Sequence, residues 1–142
     1  METPAPDFFQ TRFEAAPPLL RGQVLRPMSV AEFTEAGELL LLAARRSGCP
    51  YWLLDGRADK LREQPALHHW LEDEYLPRVR TALGRPPVVA FLATPTVRTQ
   101  LQQQGIVMPP LMPTLSAAFR TALFTEEMPA QTWLSQFRTT GS

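Results

Sequence analysis

The sequence predicts an α/β fold: a single domain with a mixed, mostly parallel sheet of about five strands and four helices, in the order ββαβαβαβα. Three observations predict it. Two continuous apolar runs, residues 51–54 and 88–92, read as short strands buried on both faces. Segments with apolar residues at helical spacing stand beside them, and prolines cluster at the joins, as at Pro17-Pro18, Pro27, Pro50, Pro86-Pro87, Pro109-Pro110 and Pro113. Strands that alternate with helices need right-handed crossovers, which lay helices over the faces of a parallel sheet.

The opening segments, residues 8–15 and 19–25, read as a pair of strands joined by a turn at Pro17-Pro18, which makes the sheet mixed. Phe9 and Phe13, or Phe8 alone, are expected to face the core. The first helix carries the clearest signals. Ser29 and Glu32 form a capping box, and Met28 with Phe33 stands where a hydrophobic staple would fasten the entering chain. Phe33, Ala36, Leu40, Leu41 and Ala44 supply its apolar face, Arg45 and Arg46 suit its C-terminal end, and Gly48 supplies a left-handed stop. Gly37, a poor helix former in mid-helix, suggests close approach to the sheet or simple tolerance.

The run Tyr51-Trp52-Leu53-Leu54 reads as a central strand that leaves the sheet at Asp55-Gly56-Arg57. Residues 65–83 carry Leu67, Trp70, Leu71, Val79 and Leu83 at roughly helical spacing, with a kink or two abutting helices expected at Pro77. Residues 88–92 form the next strand. Thr94-Pro95 then gives an N-cap followed by proline at the first position of a short helix that ends at Gly105. Residues 117–124 read as the last strand and 125–137 as the last helix, with Ala130, Trp133, Leu134 and Phe137 on its apolar face. The domain is read as 1–142, with 1–7 and 139–142 as flexible ends.

Fourteen basic and fourteen acidic residues cancel, which argues against a nucleic-acid backbone or an anionic membrane surface as partner. The single cysteine, Cys49, allows no intramolecular disulfide, and there is no CxxC or Cys/His cluster for zinc. The first ten residues do not read as a signal peptide, and the longest apolar run, residues 39–44, is far below the ~20 residues a bilayer requires. A cytoplasmic protein without a cofactor is the expectation.

Several residues of this pattern resemble small bacterial proteins akin to the STAS domain, the fold of anti-sigma-factor antagonists. They are Trp52-Leu53-Leu54-Asp55-x-Arg57, Trp70-x-x-x-Glu74-x-x-Pro77-Arg78, Val89-Ala90-Phe91-Leu92, and Phe124 with Ala130 and Trp133-Leu134, and the resemblance covers about residues 28–137. The resemblance implies a non-enzymatic interaction or regulatory domain that binds a protein or small ligand. The best-known members are switched by phosphorylation of a serine just after the strand matching residues 51–55. Here that loop reads Gly56-Arg57-Ala58-Asp59-Lys60, with no hydroxyl group, so no phosphorylation site carries over.

Ligands of open α/β sheets gather beyond the carboxyl ends of the strands, which brings Asp55 and Arg57 into view with Thr94, Thr96 and Arg98 as a candidate site for a small anion, assisted by the amides of the helix at Pro95. The plainer alternative is that Asp55 and Thr94 act as caps and Arg57 pairs with a nearby acid. His68, His69, Glu72, Asp73 and Glu74 form a dense titratable cluster in which His69 and Asp73, or His68 and Glu72, share a helical face. With no third ligand in view, they read as a solvated face and no metal is expected. Cys49 reads as a small buried hydrophobe. No P-loop, Gly-x-Gly-x-x-Gly or Gly-x-Ser-x-Gly is present, so no catalytic residue is assigned.

Residues 106–115 are apolar and proline-rich where a polar loop is usual, so Met108, Leu111 and Met112 are candidate contacts for a protein partner or a second copy of the chain, or else a cover for a sheet edge. The functional expectation is a STAS-like, non-catalytic interaction or regulatory domain. The alternative is a small anionic-ligand protein or enzyme with its site at Asp55 and Arg57.

Overall fold

In the computed structural model, residues 7–58, 74–103 and 120–140 are described. Strands β1 (Phe9–Ala15) and β2 (Pro18–Val24) form an antiparallel hairpin, paired without a bulge from Phe9↔Val24 to Ala15↔Pro18. The turn holds Ala16-Pro17, a cis peptide. Strands β3 (Tyr51–Asp55), β4 (Val88–Leu92) and β5 (Arg120–Phe124) add in parallel, giving one five-stranded mixed sheet in the sequential order β1-β2-β3-β4-β5. Four helices accompany it among the described residues: α1 (Val30–Ser47), α2 (Leu76–Leu83), α3 (Pro95–Gln103) and α4 (Glu127–Thr140).

The local signals of α1 act as anticipated. Ser29 Oγ accepts from the Glu32 amide at 3.2 Å while Glu32 Oε1 accepts from the Ser29 amide at 2.9 Å. The helix stops at Gly48, whose φ of 66° is left-handed and whose amide donates to the Ala44 carbonyl. Ala36, Leu40, Leu41 and Ala44 are its buried face. The close approach at Gly37 is made by the next helical segment, since the Tyr75 hydroxyl donates to the Gly37 carbonyl at 2.7 Å. Arg78 reinforces the joint with a two-pronged bond to Glu38, at 2.7 and 2.8 Å. Pro77 is the second residue of α2, and Glu74 and Tyr75 immediately before it form a wider π-type helical turn with Tyr75 in the right-handed helical region, so two helical segments abut where the proline supplies no donor.

Strand alternation divides the core into two layers. Thr11, Phe13 and Leu20 face the side of α1, together with Leu39, Leu42 and Ala43 of that helix. Arg21, Leu53 and Asp55 face the opposite side, where α4 packs against β4, β5 and β3. Leu20, Ala44, Val79, Ala90, Ala122, Ala130 and Leu134 have no exposed surface. Trp52 is fully buried as well, and its indole N–H donates to the Cys49 carbonyl at 2.8 Å.

Two expectations about the opening phenylalanines change. Phe8 and Phe9 are both buried, although neighbours in a strand face opposite sides of the sheet, and the Arg26 guanidinium lies 5.6 Å from the centre of the Phe8 ring. Phe13 shares a face with Phe9 yet is 45% exposed, because it stands beside an open groove at the C-terminal half of α1. The histidine-bearing cluster at residues 68–73 and the apolar segment 106–115 lie outside the described residues. So do the expected ends of the short helix at Gly105 and of the last strand at 117. Glu74 is described and exposed. No helix among the described residues is long and apolar enough to cross a membrane.

Candidate functional site

A polar groove of about 370 Å³ opens on the α4 side of the sheet, where that helix leaves β1 uncovered. Alternation along β1 and β2 builds its floor. Gln10, Arg12 and Glu14 project from β1, and Arg21 and Gln23 project to the same side from β2, each β1 residue but Glu14 lying opposite one of the β2 pair. Asp55 closes β3, Arg57 follows it, and Glu127 begins α4 at the rim. Both ends of α4 hold β2, through Glu127 on Arg21 and through the Arg138 guanidinium, whose Nε donates to the Pro18 carbonyl at 3.1 Å.

Five of the six charges lining this groove are engaged with one another. Arg21 is directly opposite Arg12, a like-charge neighbour that would destabilise the hairpin if left uncompensated. Two carboxylates neutralise it. Its Nε donates to Glu14 Oε2 at 2.7 Å, and its Nη1 and Nη2 donate to the two oxygens of Glu127 at 3.0 Å each. The Arg21 guanidinium holds the Glu127 carboxyl below its usual range, assisted by Gln131, whose Nε2 donates to Glu127 Oε2 at 2.8 Å. Burial pushes the Asp55 carboxyl up, but the bonds from Arg57 outweigh it and leave the group below its ordinary value. Arg57 donates its backbone N–H and Nε to Asp55 Oδ1, at 3.1 and 3.0 Å, and its Nη2 to Oδ2 at 2.8 Å. Gln10 and Gln23 join across the strands by a 2.9 Å bond. Arg12 is exposed and has no ion pair among the described residues.

Asp55 and Glu127 are therefore ionised and held in place near neutral pH. Each is stabilised in the charged form, so neither is poised to act as a proton donor there. Its polar groups are fixed before anything binds, which lowers the ordering cost of a contact.

Of the residues singled out in the sequence, Asp55 and Arg57 meet in the groove, as a pair. Thr94 and Thr96 do not line it. Thr94 caps α3, its Oγ1 accepting from the Val97 amide at 3.2 Å, and Thr96 is exposed on that helix. Arg98 belongs to α3, and its side chain lies outside the described residues. The physical reason is the strand order. A sheet that adds strands sequentially has no reversal of direction between β3 and β4, where a ligand crevice would open. The carboxyl ends there are closed by backbone bonds instead: the Gly56 amide donates to Leu92 and the Ala93 amide to Phe124, both at 2.9 Å. Arg12, Glu14, Arg21 and Glu127 escaped sequence reasoning, although the polar alternation Gln10, Arg12, Glu14 already marked a solvated strand face. Met108, Leu111 and Met112 lie outside the described residues. Among the described residues, no group of three or more His, Cys, Asp or Glu could hold a metal ion.

Comparison of the chain with protein-family models, with curated proteins and with solved structures gives no match.

Proposed function

We propose that this chain is a non-catalytic interaction or regulatory domain of STAS-like type, at work in a bacterial cytoplasm. One observation carries the reading: five of the six charged groups of the groove are engaged with one another, Arg12 being the exception among the described residues. Arg21 is bound to Glu14 and Glu127, and Arg57 to Asp55. Three arginines face three carboxylates around the groove, so its charge is balanced, which suits a polar protein surface better than a pocket for a small anion. The Trp52-Leu53-Leu54-Asp55-x-Arg57 pattern supports the same reading, since its last two charged members serve each other. The segment bearing Met108, Leu111 and Met112 is a further contact surface in this proposal.

The competing reading is a small-anion site, for which the exposed Arg12 would be the available cation. Thermal unfolding with inorganic phosphate, a nucleoside diphosphate and a dicarboxylate separates the two, because a ligand that binds only the native state raises its apparent stability. The interaction reading expects an unchanged midpoint with all three. A saturable increase that disappears in Arg57→Ala or Arg12→Ala would transfer the assignment to ligand binding.

A further inference from the structure

We propose that the partner of this interaction domain is a second copy of the chain, joined through the open edge of β1 in an antiparallel, two-fold pairing centred on Phe13. The inference deepens the interaction reading and rests on it. Among the described residues β1 pairs only with β2, so its outer edge presents unpaired backbone groups. The Leu25 amide donates to the Phe8 carbonyl at 2.9 Å. Alternation along a bulge-free ladder therefore turns the backbone groups of Gln10, Arg12 and Glu14 toward β2, and those of Phe9, Thr11, Phe13 and Ala15 outward.

On the α1 side the edge strand projects no protecting charge. Phe13 is 45% exposed and Leu42 of α1 is 44% exposed, and the two border the same open groove, with Leu39 and Ala43 behind them and Arg12 and Arg46 also lining it. Natural edges are often blunted by charge, proline or a bulge; β1 has no bulge and carries its charges, Arg12 and Glu14, on one face, while a large aromatic ring stands exposed on the other.

Charge complementarity selects the register. Two-fold pairing about Arg12 would set two guanidinium groups against each other, and pairing about Thr11 would set Arg12 against Gln10. Pairing about Phe13 sets Arg12 of each copy opposite Glu14 of the other, twice by symmetry. It also stacks Phe13 on its counterpart and places Thr11 opposite Ala15. In this register Phe13 and Thr11 use their outward backbone groups to bond across the axis. The Arg12 and Glu14 positions then form a non-hydrogen-bonded pair, the kind that brings side chains closest. Glu14 has the capacity for it: its Oε2 holds Arg21, while its Oε1 has no partner among the described residues. Arg12, without an ion pair in the single chain, gains one.

The test is the molar mass of the full-length protein by sedimentation and light scattering across a concentration series, with circular dichroism to establish that each variant is folded. The wild-type chain should form a reversible dimer. Arg12→Glu and Glu14→Arg should each raise the dimer dissociation constant by at least about tenfold, because each replaces two attractions by two repulsions. Mixed in equal amounts, the two variants should form a heterodimer, since one copy then carries both acids and the other both bases. A wild-type chain that stays monomeric at every concentration overturns the inference, as does a dimer that survives Arg12→Glu unchanged. Folded variants that fail to pair with each other overturn the register. None of these results bears on the anion titration, so failure here and failure of the interaction reading are distinguishable.

Discussion

Arg21 on β2 and Glu127 at the start of α4 meet through two parallel hydrogen bonds of 3.0 Å each, tying the hairpin to the last helix across the face of the sheet. The guanidinium is about a quarter exposed and the carboxylate more than two-fifths, so solvent screens the pair appreciably. Arg21→Met keeps the aliphatic stem and removes the charge. The expected loss is about 1 kcal/mol, the upper range for a partly exposed pair. It should appear as a lower urea midpoint with an unchanged slope, accompanied by a rise of the Glu127 titration toward its ordinary value in carboxyl-resolved NMR.

Acid should weaken the fold through the same groups. Glu127 and Glu38 lie below their ordinary value of 4.5, held mainly by Arg21 and Arg78, and Asp55 lies below 3.8 despite its burial. Glu32 is held at about 2, chiefly by Arg26 and then by the Ser29 amide. A carboxyl with a depressed native pKa contributes stability that is present above its unfolded value and is lost as pH falls through the native one. Unfolding free energy should therefore be flat down to about pH 5 and decline from there toward pH 2. An Arg21→Met chain should show a shallower decline, and equal slopes would contradict the role given to Arg21.

Gly22 is a site where a single methyl group should be costly. A Cβ there would stand 2.8 Å from Leu54 Cδ2 and 2.9 Å from Phe9 Cζ, and Phe9 is buried. Gly22→Ala should destabilise by about 1–3 kcal/mol, the range for overpacking a filled core. The same variant with Leu54→Val, which shortens one of the two obstructing side chains, should recover part of that loss.

The fold was largely legible because its local signals agree. The capping box, Gly48 and the apolar face of α1 all point to one helix, and the shortness of the two unbroken apolar runs, each bounded by proline, favours strands covered on both sides. The site was less legible. Reading it required knowing that the strands add sequentially, which closes the β3–β4 end, and that α4 runs back far enough to bring Glu127 to Arg21. Both are tertiary facts that a local pattern does not encode. Phe13 was misplaced for a related reason: a period-two pattern assigns it a face, but the depth of burial depends on where α1 stops covering that face.

Leu134 offers a check on the α4 side of the core. It has no exposed surface, and it lies on the helix that covers β3, β4 and β5. Leu134→Ala should cost about 2–5 kcal/mol, the usual range for emptying a buried leucine site. Calorimetric or urea unfolding would show it, and a loss under about 1 kcal/mol would mean that α4 is not part of the cooperative core.

The central claim is that the groove is a charge-balanced surface, with all its charges but Arg12 engaged with one another, rather than a receptor for a small anion. Titration of isotopically labelled protein with inorganic phosphate and with a dicarboxylate, followed by amide and arginine side-chain NMR, tests it most directly. The account predicts only small, unsaturable displacements at Arg12, Arg21, Asp55 and Arg57. Saturable shifts confined to those residues would contradict it.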